Sequence, residues 1–433
     1  MSLSFFSCQE IAEQRRESLI EITEPARNAD QIPPEAQAEI SFILRLGRAL
    51  HLNGYPAYRL EELLARASEK LGLSGQFFST PTSIYCGFGE LERQRTYLIR
   101  IEPGDVNLGK LVELDQVICQ VVNGHLTPAA GSERIEEISR ASAPYGPFIR
   151  ILSYSLASAA SARIIGGGSK EIVVSALIGV LIGLLHLISG RVNSLSFVVT
   201  PVAAFLASLF SGLLSQQFGP YSVFNATLAG LIVLLPGLTL TMAMAELSTR
   251  NLVSGVSRLS AALVVLIGMG FGVDVGSRLA IVLAGPPRIA NPLMLPSWTE
   301  WIALLALPLT FTVLLRAHLR DSLWIIITGM LAVGASRFSS LALGQELGPF
   351  LGALTVGVVS RLYAKLLKRP STVTLIPGIL LLVPGSIGFR SIISMLDNQI
   401  VPGIGTGFGM ILMAMALVIG VLTSSLIIPV RER

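Results

Sequence analysis

The chain has 433 residues, 52% of them hydrophobic and only 14% charged, against about 25% charged in a typical soluble protein. Its three cysteines (Cys8, Cys86, Cys119) form neither a paired framework nor a metal-ligand spacing. The net charge of +4 calls for no nucleic-acid partner, and the absence of a Gly-x-x-x-x-Gly-Lys-Ser/Thr run argues against ATP-driven work.

Residues 1–34 are predicted to be a flexible tail. They lack the apolar core of a secretory signal, so the amino terminus is expected in a reducing cytoplasm. Residues 35–146 carry dense mixed charge, as in Glu133-Arg134-Ile135-Glu136-Glu137, and read as a small cytoplasmic α+β domain. Leu and Ile at helical spacing predict helices over Ile40–Leu52 and Leu60–Leu71, with Asn53-Gly54-Tyr55-Pro56 as the turn between them. Strand-like runs follow at Gln76–Ser79, Ser83–Gly87 and Thr96–Ile101. Pro103-Gly104-Asp105 then turns the chain into a helix over Leu108–Val122, and a last helix lies near 132–141.

From residue 147 the chain is almost continuously apolar. A membrane span needs about 20 predominantly apolar residues. Candidates are 148–167, 172–190, 194–214, 222–244, 252–282, 299–316, 322–339, 346–366, 373–395 and 404–429, which makes ten. The first is rich in Ala and Ser, and the fifth is long enough to predict a tilt or a break. With the amino terminus inside, nine Lys or Arg residues fall on inner connections or the tail, among them Arg191, Lys365, Lys368, Arg369, Arg431 and Arg433. Six fall outside. That bias places both termini in the cytoplasm and puts Trp298 and Trp301 at the outer interface.

The apolar region repeats its own punctuation. Gly230-Leu-Ile-Val-Leu-Leu-Pro236-Gly237 recurs 148 residues later as Gly378-Ile-Leu-Leu-Leu-Val-Pro384-Gly385, and Pro201 and Gly255 likewise meet Pro349 and Gly403. Five spans per half (147–283 and 284–433) invert the second half relative to the first. The expected fold is therefore a polytopic α-helical membrane protein of about ten transmembrane helices in two inverted five-helix repeats. Such duplication, with helices broken at corresponding places, is how many secondary transporters are built, their site lying near the midplane. Pro removes a helical hydrogen bond and Gly lets the chain leave helical geometry. Freed backbone at membrane depth must face protein or a water-filled cavity, so Pro236, Gly237, Pro384 and Gly385 are candidate substrate-binding residues.

Asn225, Thr227, Thr239 and Thr241 flank the first break and join the candidate set, although a Thr hydroxyl can equally bond a helix carbonyl. Arg390, five residues past the second break, could hold a carboxylate or reach the interface. A carboxylate in a span is expensive and usually has a partner or a task. Glu246 is thus either an ion pair with Arg250, with Arg258 also near in sequence, or a proton-coupling or ammonium-binding group. Asp274 and Arg278 are predicted to pair at a helix end, and His186 reads as a packed histidine.

Gly54, Arg59-Leu-Glu61, Lys70-Leu-Gly-Leu73, Thr80-Pro-Thr82-Ser-Ile84, Asn107-Leu-Gly-Lys-Leu111, Leu235-Pro-Gly237 and Glu246-Leu247 together resemble the threonine/serine exporter family, from about residue 36 to the end. The resemblance implies a cytoplasmic amino-terminal domain, ten spans in two related modules, a cell (inner) membrane location, and proton-driven export of threonine and serine. Split relatives imply a dicarboxylate such as succinate instead. It implies a small-molecule substrate, protons and membrane lipid as partners and leaves homo-oligomerisation open; no cofactor and no enzymatic activity are expected. A membrane-anchored sensor or scaffold is the competing class. A hydrolase in the amino-terminal domain is a third, set against His51 and His125, neither of which sits in a nucleophile or metal pattern.

Overall fold

The computed structural model describes residues 34–428 apart from 103, 190–197, 289, 294 and 344–346. The expectations for the tail before residue 34, Cys8, Arg191, Arg431 and Arg433 lie outside the described residues. Met1–Ala38 and Glu39–Arg433 are separate compact units. Of the first, the described part is the opening turn of helix α1 (Pro34–Leu52).

In the second unit, Ile43, Leu46 and Leu50 of α1 follow helical spacing and are fully buried. Gly54 reverses the chain with φ +84°, a conformation that suits a residue without Cβ. Helix α2 (Ala57–Lys70) then buries Leu60 and Leu64. Strands β1 (Gly75–Thr80), β2 (Ser83–Phe88) and β3 (Arg95–Arg100) form an antiparallel sheet in the order β1-β2-β3. Helix α3 (Leu108–Val122) starts where the Asn107 side chain accepts the Lys110 N–H at 3.1 Å. Thr127 caps α4 (Pro128–Arg140) in the same way, so this helix begins four residues earlier than the sequence reading placed it. Phe42, Leu46, Leu64, Ile84, Leu108 and Leu111 form a buried core in this α+β segment.

Among the described residues twelve α-helices follow: α5 (Pro147–Ile164), α6 (Ser169–Ser189), α7 (Val199–Gln217), α8 (Val223–Gly230), α9 (Gly237–Ser248), α10 (Leu252–Ala284), α11 (Trp298–Leu314), α12 (Ser322–Leu343), α13 (Leu347–Leu367), α14 (Thr372–Leu382), α15 (Gly385–Leu396) and α16 (Ile400–Ile427). Among the described residues, seven helical stretches are long and apolar enough to cross a membrane, and the pair α8–α9, bent by 50°, makes an eighth. Helix α11 is apolar but only 17 residues long. Helix α10 runs unbroken through 33 residues, about 50 Å. It therefore exceeds a hydrocarbon core of about 30 Å without the break that its length allowed. Large apolar side chains face outward all along these helices, Val264 at 69%, Val282 at 80% and Leu426 at 83% exposure. A water-exposed helix would not carry such a surface, whereas lipid accepts it.

In the helices from α5 to α10 and from α11 to α16, three pairs of helices end in the same way. Left-handed residues close corresponding helices: Gly166 after α5 and Arg316 after α11, Gly219 after α7 and Lys368 after α13, Arg250 after α9 and Asn398 after α15. Non-glycine residues with positive φ are uncommon, so the recurrence of Arg250 (φ 66°) and Asn398 (φ 62°) 148 residues apart carries weight. The bonds repeat too: Asn251 N–H donates to Glu246 O and Gln399 N–H to Ser394 O, both at 2.8 Å.

The α+β segment rests on one end of this helical body. Ser254 Oγ donates to Ser79 O at 2.7 Å, Leu108 N–H to Leu315 O at 2.9 Å, and Arg316 pairs with Asp105 at 3.1 Å. Arg163, Glu300 and Arg337 gather at the opposite end, where Arg337 pairs with Glu300 and Arg163 donates to Thr299 Oγ1 at 2.7 Å.

Candidate substrate site at the two helix breaks

The two breaks share a residue pattern, although α8 and a 3-10 turn (Ile232–Leu234) lead into the first, bent by 50°, and α14 runs up to the second. Leu235 (φ −63°, ψ 131°) and Val383 (φ −67°, ψ 138°) are extended, Pro236 and Pro384 follow as N-caps, and α9 and α15 begin at Gly237 and Gly385. Gly237 N–H turns to Leu235 O at 2.8 Å, so the carbonyl of Val233 loses the donor that a continuous helix would supply. The first helical bonds run from Leu240 N–H to Pro236 O and from Gly388 N–H to Pro384 O, both at 3.0 Å. The amides of Leu238, Thr239, Ser386 and Ile387 precede them.

The two breaks touch. A Cβ on Gly385 would lie 3.2 Å from Gly237 Cα and 3.3 Å from Leu235 Cβ, and a Cβ on Gly237 would lie 3.3 Å from Gly385 N and collide with Val383. Each glycine thus meets its counterpart and the residue two before that counterpart. Two helix N-termini converge there, each bearing about half a positive charge from aligned peptide dipoles. Backbone N–H groups at such ends suit a carboxylate.

Arg390, on α15, spans from one half to the other. Its guanidinium lies 5.3 Å over the Phe224 ring of α8, and Phe224 stacks on Phe389 with centroids 6.5 Å apart. No acidic side chain pairs with Arg390 among the described residues. Asn225 follows Phe224, with its backbone N–H donated to the cap Ser222. Thr227 is buried and its Oγ1 has no hydrogen-bond partner among the described residues. Thr241 Oγ1 is spent on Gly237 O at 3.2 Å, the local alternative open to any helical Thr. Thr239 is half-buried in the first turn of α9.

Glu246 stands apart, nine residues or about 13 Å along α9 from the break. It is fully buried, and both of its oxygens accept from Arg258 Nε, at 2.9 and 3.0 Å. The expected pairing with Arg250 is not made: Arg250 ends α9 in the left-handed conformation, and the partner lies in the next helix. Ala57 N–H, from α2 of the amino-terminal segment, also reaches Glu246 Oε1 at 3.4 Å. The Asp274–Arg278 pair forms as expected, with Nε bonds of 3.0 and 2.9 Å. His186 packs against Tyr154 and lies 3.8 Å from Asp105.

Around Glu246 the amino-terminal segment supplies a buried polar cluster that the sequence reading missed. Ser79 N–H donates to Glu61 Oε1 at 2.6 Å, Ser79 Oγ lies 3.4 Å from His51 Nδ1, and His51 Nε2 lies 2.9 Å from Pro81 O. Burial raises the Glu61 carboxyl above its ordinary range, against the Ser79 N–H bond and with the negative Glu246 nearby. Burial lowers His51, with Arg258 adding to the effect. The available signal was Glu61 beside the Thr80–Ser83 turn, and nothing in it pointed to a contact about 190 residues away.

Two family models match. "Putative threonine/serine exporter" covers residues 41–280, and "Threonine/Serine exporter, ThrE" covers 301–427. The gap between them falls at the connection from α10 to α11. Among curated relatives, pheromone-regulated membrane protein 10 of Saccharomyces cerevisiae is 27% identical over 365 residues, covering 81% of this chain and 46% of the relative. The protein of the same name from Candida albicans is also 27% identical, covering 81% and 33%. An uncharacterised Schizosaccharomyces pombe protein is 24% identical, covering 80% and 43%. The chain spans less than half the length of these relatives. No solved structure matches. With family models matched across both the α+β segment and the two runs of helices, the chain belongs to the threonine/serine exporter family of membrane proteins.

Proposed function

We propose that the chain is a secondary transporter exporting small hydroxy amino acids, threonine and serine, by proton antiport. The helices are read as ten spans in two inverted five-span repeats, α5–α10 and α11–α16, with α8–α9 and α14–α15 each one broken span. Residues 1–34 are read as a tail, 35–146 as a cytoplasmic domain, and 147–283 and 284–433 as the repeats, in a cell membrane with both termini inside. The observation that carries the reading is the contact of Gly237 with Gly385, which joins two half-helix N-termini across the repeats.

In this reading the substrate carboxylate binds the first-turn amides of α9 and α15, with Pro236 and Pro384 holding those ends open. Asn225, Thr227, Thr239 and Thr241 offer polar contacts for the hydroxyl, freed carbonyls such as that of Val233 take the ammonium, and Arg390 holds the carboxylate side of the site. Glu246 exchanges the proton, and no catalytic residue is assigned. A dicarboxylate such as succinate is the second reading, favoured by Arg390, which adds a second positive group without an acidic partner among the described residues. The test is counterflow of labelled threonine in proteoliposomes. Competition by serine but not succinate supports amino-acid export, competition by succinate alone changes the substrate, and the absence of counterflow with threonine or succinate returns a membrane-anchored sensor.

A further inference from the structure

The α+β segment is bonded to both runs of helices, and the starts of two of its helices make bonds to them. The first amides of a helix have no acceptor within it. Ala57, the first residue of α2, gives its N–H to Glu246 Oε1 of α9 at 3.4 Å. Leu108 and Gly109, the first two residues of α3, give theirs to Leu315 O and Arg316 O, just past the end of α11, at 2.9 and 3.1 Å. One helix start is therefore seated on the first run of helices and the other on the second.

The two seats differ in kind. At α3 the acceptors are backbone carbonyls, which do not titrate. Gly109 lies so close that a Cβ there would be 2.7 Å from Arg316 O, and Val112 is buried with Tyr363 and Val373. The Asp105–Arg316 pair beside this seat is exposed on the Asp105 side and adds little. At α2 the acceptor is a carboxylate, which the aligned dipoles of a helix N-terminus favour. Pro56, the cap residue of α2, makes no side-chain bond there, so Glu246 stands where a capping side chain would. Arg258 of α10 holds both Glu246 oxygens, Glu61 lies one turn beyond Ala57 on α2, and His51 of α1 feels the charge of Arg258. Helices α14 and α16 also pack on α9 but have no ionisable residue, and Arg390 of α15 lies over Phe224. Two uncharged acceptors complete the ties: Ser79 O takes Ser254 Oγ of the first run at 2.7 Å, and Ser371 Oγ of the second takes Arg59 Nη1 at 3.4 Å.

We propose that the α+β segment is a gate across the two runs of helices, hinged on α3 and latched on α2 by the charge of Glu246. With Glu246 ionised, the segment ties the two runs together at this end. Neutralising the carboxylate takes the anion away from the start of α2, and the latch loosens while the α3 seat holds. The link to transport rests on the proton role given to Glu246 above: a proton taken up there opens the gate.

The experiment is hydrogen exchange of the full chain in detergent, read by mass spectrometry in peptides covering the first turns of α2 and α3. Amides without an acceptor in their own helix owe their protection to the seat they occupy. E246Q keeps an oxygen for Ala57 and removes only the charge. Expected in E246Q is exchange about five-fold faster or more at the start of α2, the effect of removing an anion from a partly buried helix N-terminus. Exchange at the start of α3 should stay within about two-fold of the parent on the same scale. Should E246Q fail to fold, E246Q/R258L leaves no stranded charge and should give the same pattern. Unchanged exchange at the start of α2 overturns the proposal. So does parallel release of α2 and α3, which would mean that the segment leaves or unfolds as a whole. The measurement involves no threonine flux, so a failure of the transport reading and a failure of the gate are told apart.

Discussion

Gly237 and Gly385 face each other so closely that a Cβ on Gly385 would sit 3.2 Å from Gly237 Cα. The two lie 148 residues apart and occupy the same place in their helices, the first residue after a capping proline. A contact between residues at matching places of the repeated Pro-Gly pattern resembles, locally, the self-complementary contact of a two-fold dimer, in which i meets j and j meets i. Leu235 and Val383 complete it, each packing on the other half's glycine.

That packing leaves no room for a side chain at position 237. Overpacking of a filled site typically costs about 1–3 kcal/mol. Gly237→Ala is expected to lower the melting temperature of the purified protein and reduce threonine flux. Adding Val383→Ala removes the group that the new Cβ strikes, so the double variant should recover most of the lost stability. A double variant no better than the single one would contradict the contact.

The buried Glu246–Arg258 pair gives a second expectation. Removing one partner of a buried ion pair strands the other charge, at about 3–5 kcal/mol. Glu246→Gln or Arg258→Gln alone should destabilise strongly, while the double substitution should cost less than the two together. Thermal melts of the three variants measure that coupling. On the proposed proton role, Glu246→Gln that still folds should retain threonine exchange and lose its response to a pH gradient. Gradient-driven efflux in that variant at the wild-type rate would sink the assignment.

Arg390 should report on substrate charge. Arg390→Gln removes a cation that lies over Phe224 near the breaks, so the KM for threonine should rise about ten-fold or more, as expected for one charged hydrogen bond of about 1.5–3 kcal/mol. Arg390→Lys should recover part of the loss. An unchanged KM in both variants would place Arg390 in a packing role only.

His51 sets a pH dependence in the amino-terminal segment. Its folded-state pKa lies below the ordinary histidine value of 6.5 because burial penalises the charged form. The stability that it contributes is therefore fully present above about 6.5 and is lost as pH falls through the folded pKa. Glu61 shifts the other way: its pKa is raised above 4.5, so its contribution is present below 4.5 and is lost as pH rises through the folded value. Between pH 7 and the folded pKa of His51, the His51→Gln variant should show a flatter melting profile than the parent. Equal slopes would mean that His51 does not titrate in this window.

Much of the architecture was legible because it rests on local rules. Pro-Gly pairs mark breaks wherever they fall in an apolar run, and α9 and α15 begin at the glycines so marked. The Leu and Ile spacing of 40–52 and the short alternating runs located α1 and the three strands to within a residue or two, apart from the start of α1. Partners across the fold were not legible. Arg258 lies twelve residues from Glu246 with a chain reversal between them, whereas Arg250 sits at the helical spacing that suggests a pair. A left-handed helix end at Arg250 overrides that spacing, and no property of an Arg in a sequence announces it. The contact of Ala57 with Glu246 and of Arg59 with Ser371 depends on how the α+β segment lands on the helices, which periodicity cannot report.

The most direct test of the transport reading is threonine efflux from preloaded proteoliposomes, with and without an imposed proton gradient, for the parent and for Gly385→Val. Expected is efflux that the gradient accelerates in the parent and that the substitution abolishes, while the variant remains monodisperse and membrane-inserted. Efflux of equal rate in both proteins, or none in the parent for threonine, serine or succinate, would contradict a transport site at the two breaks.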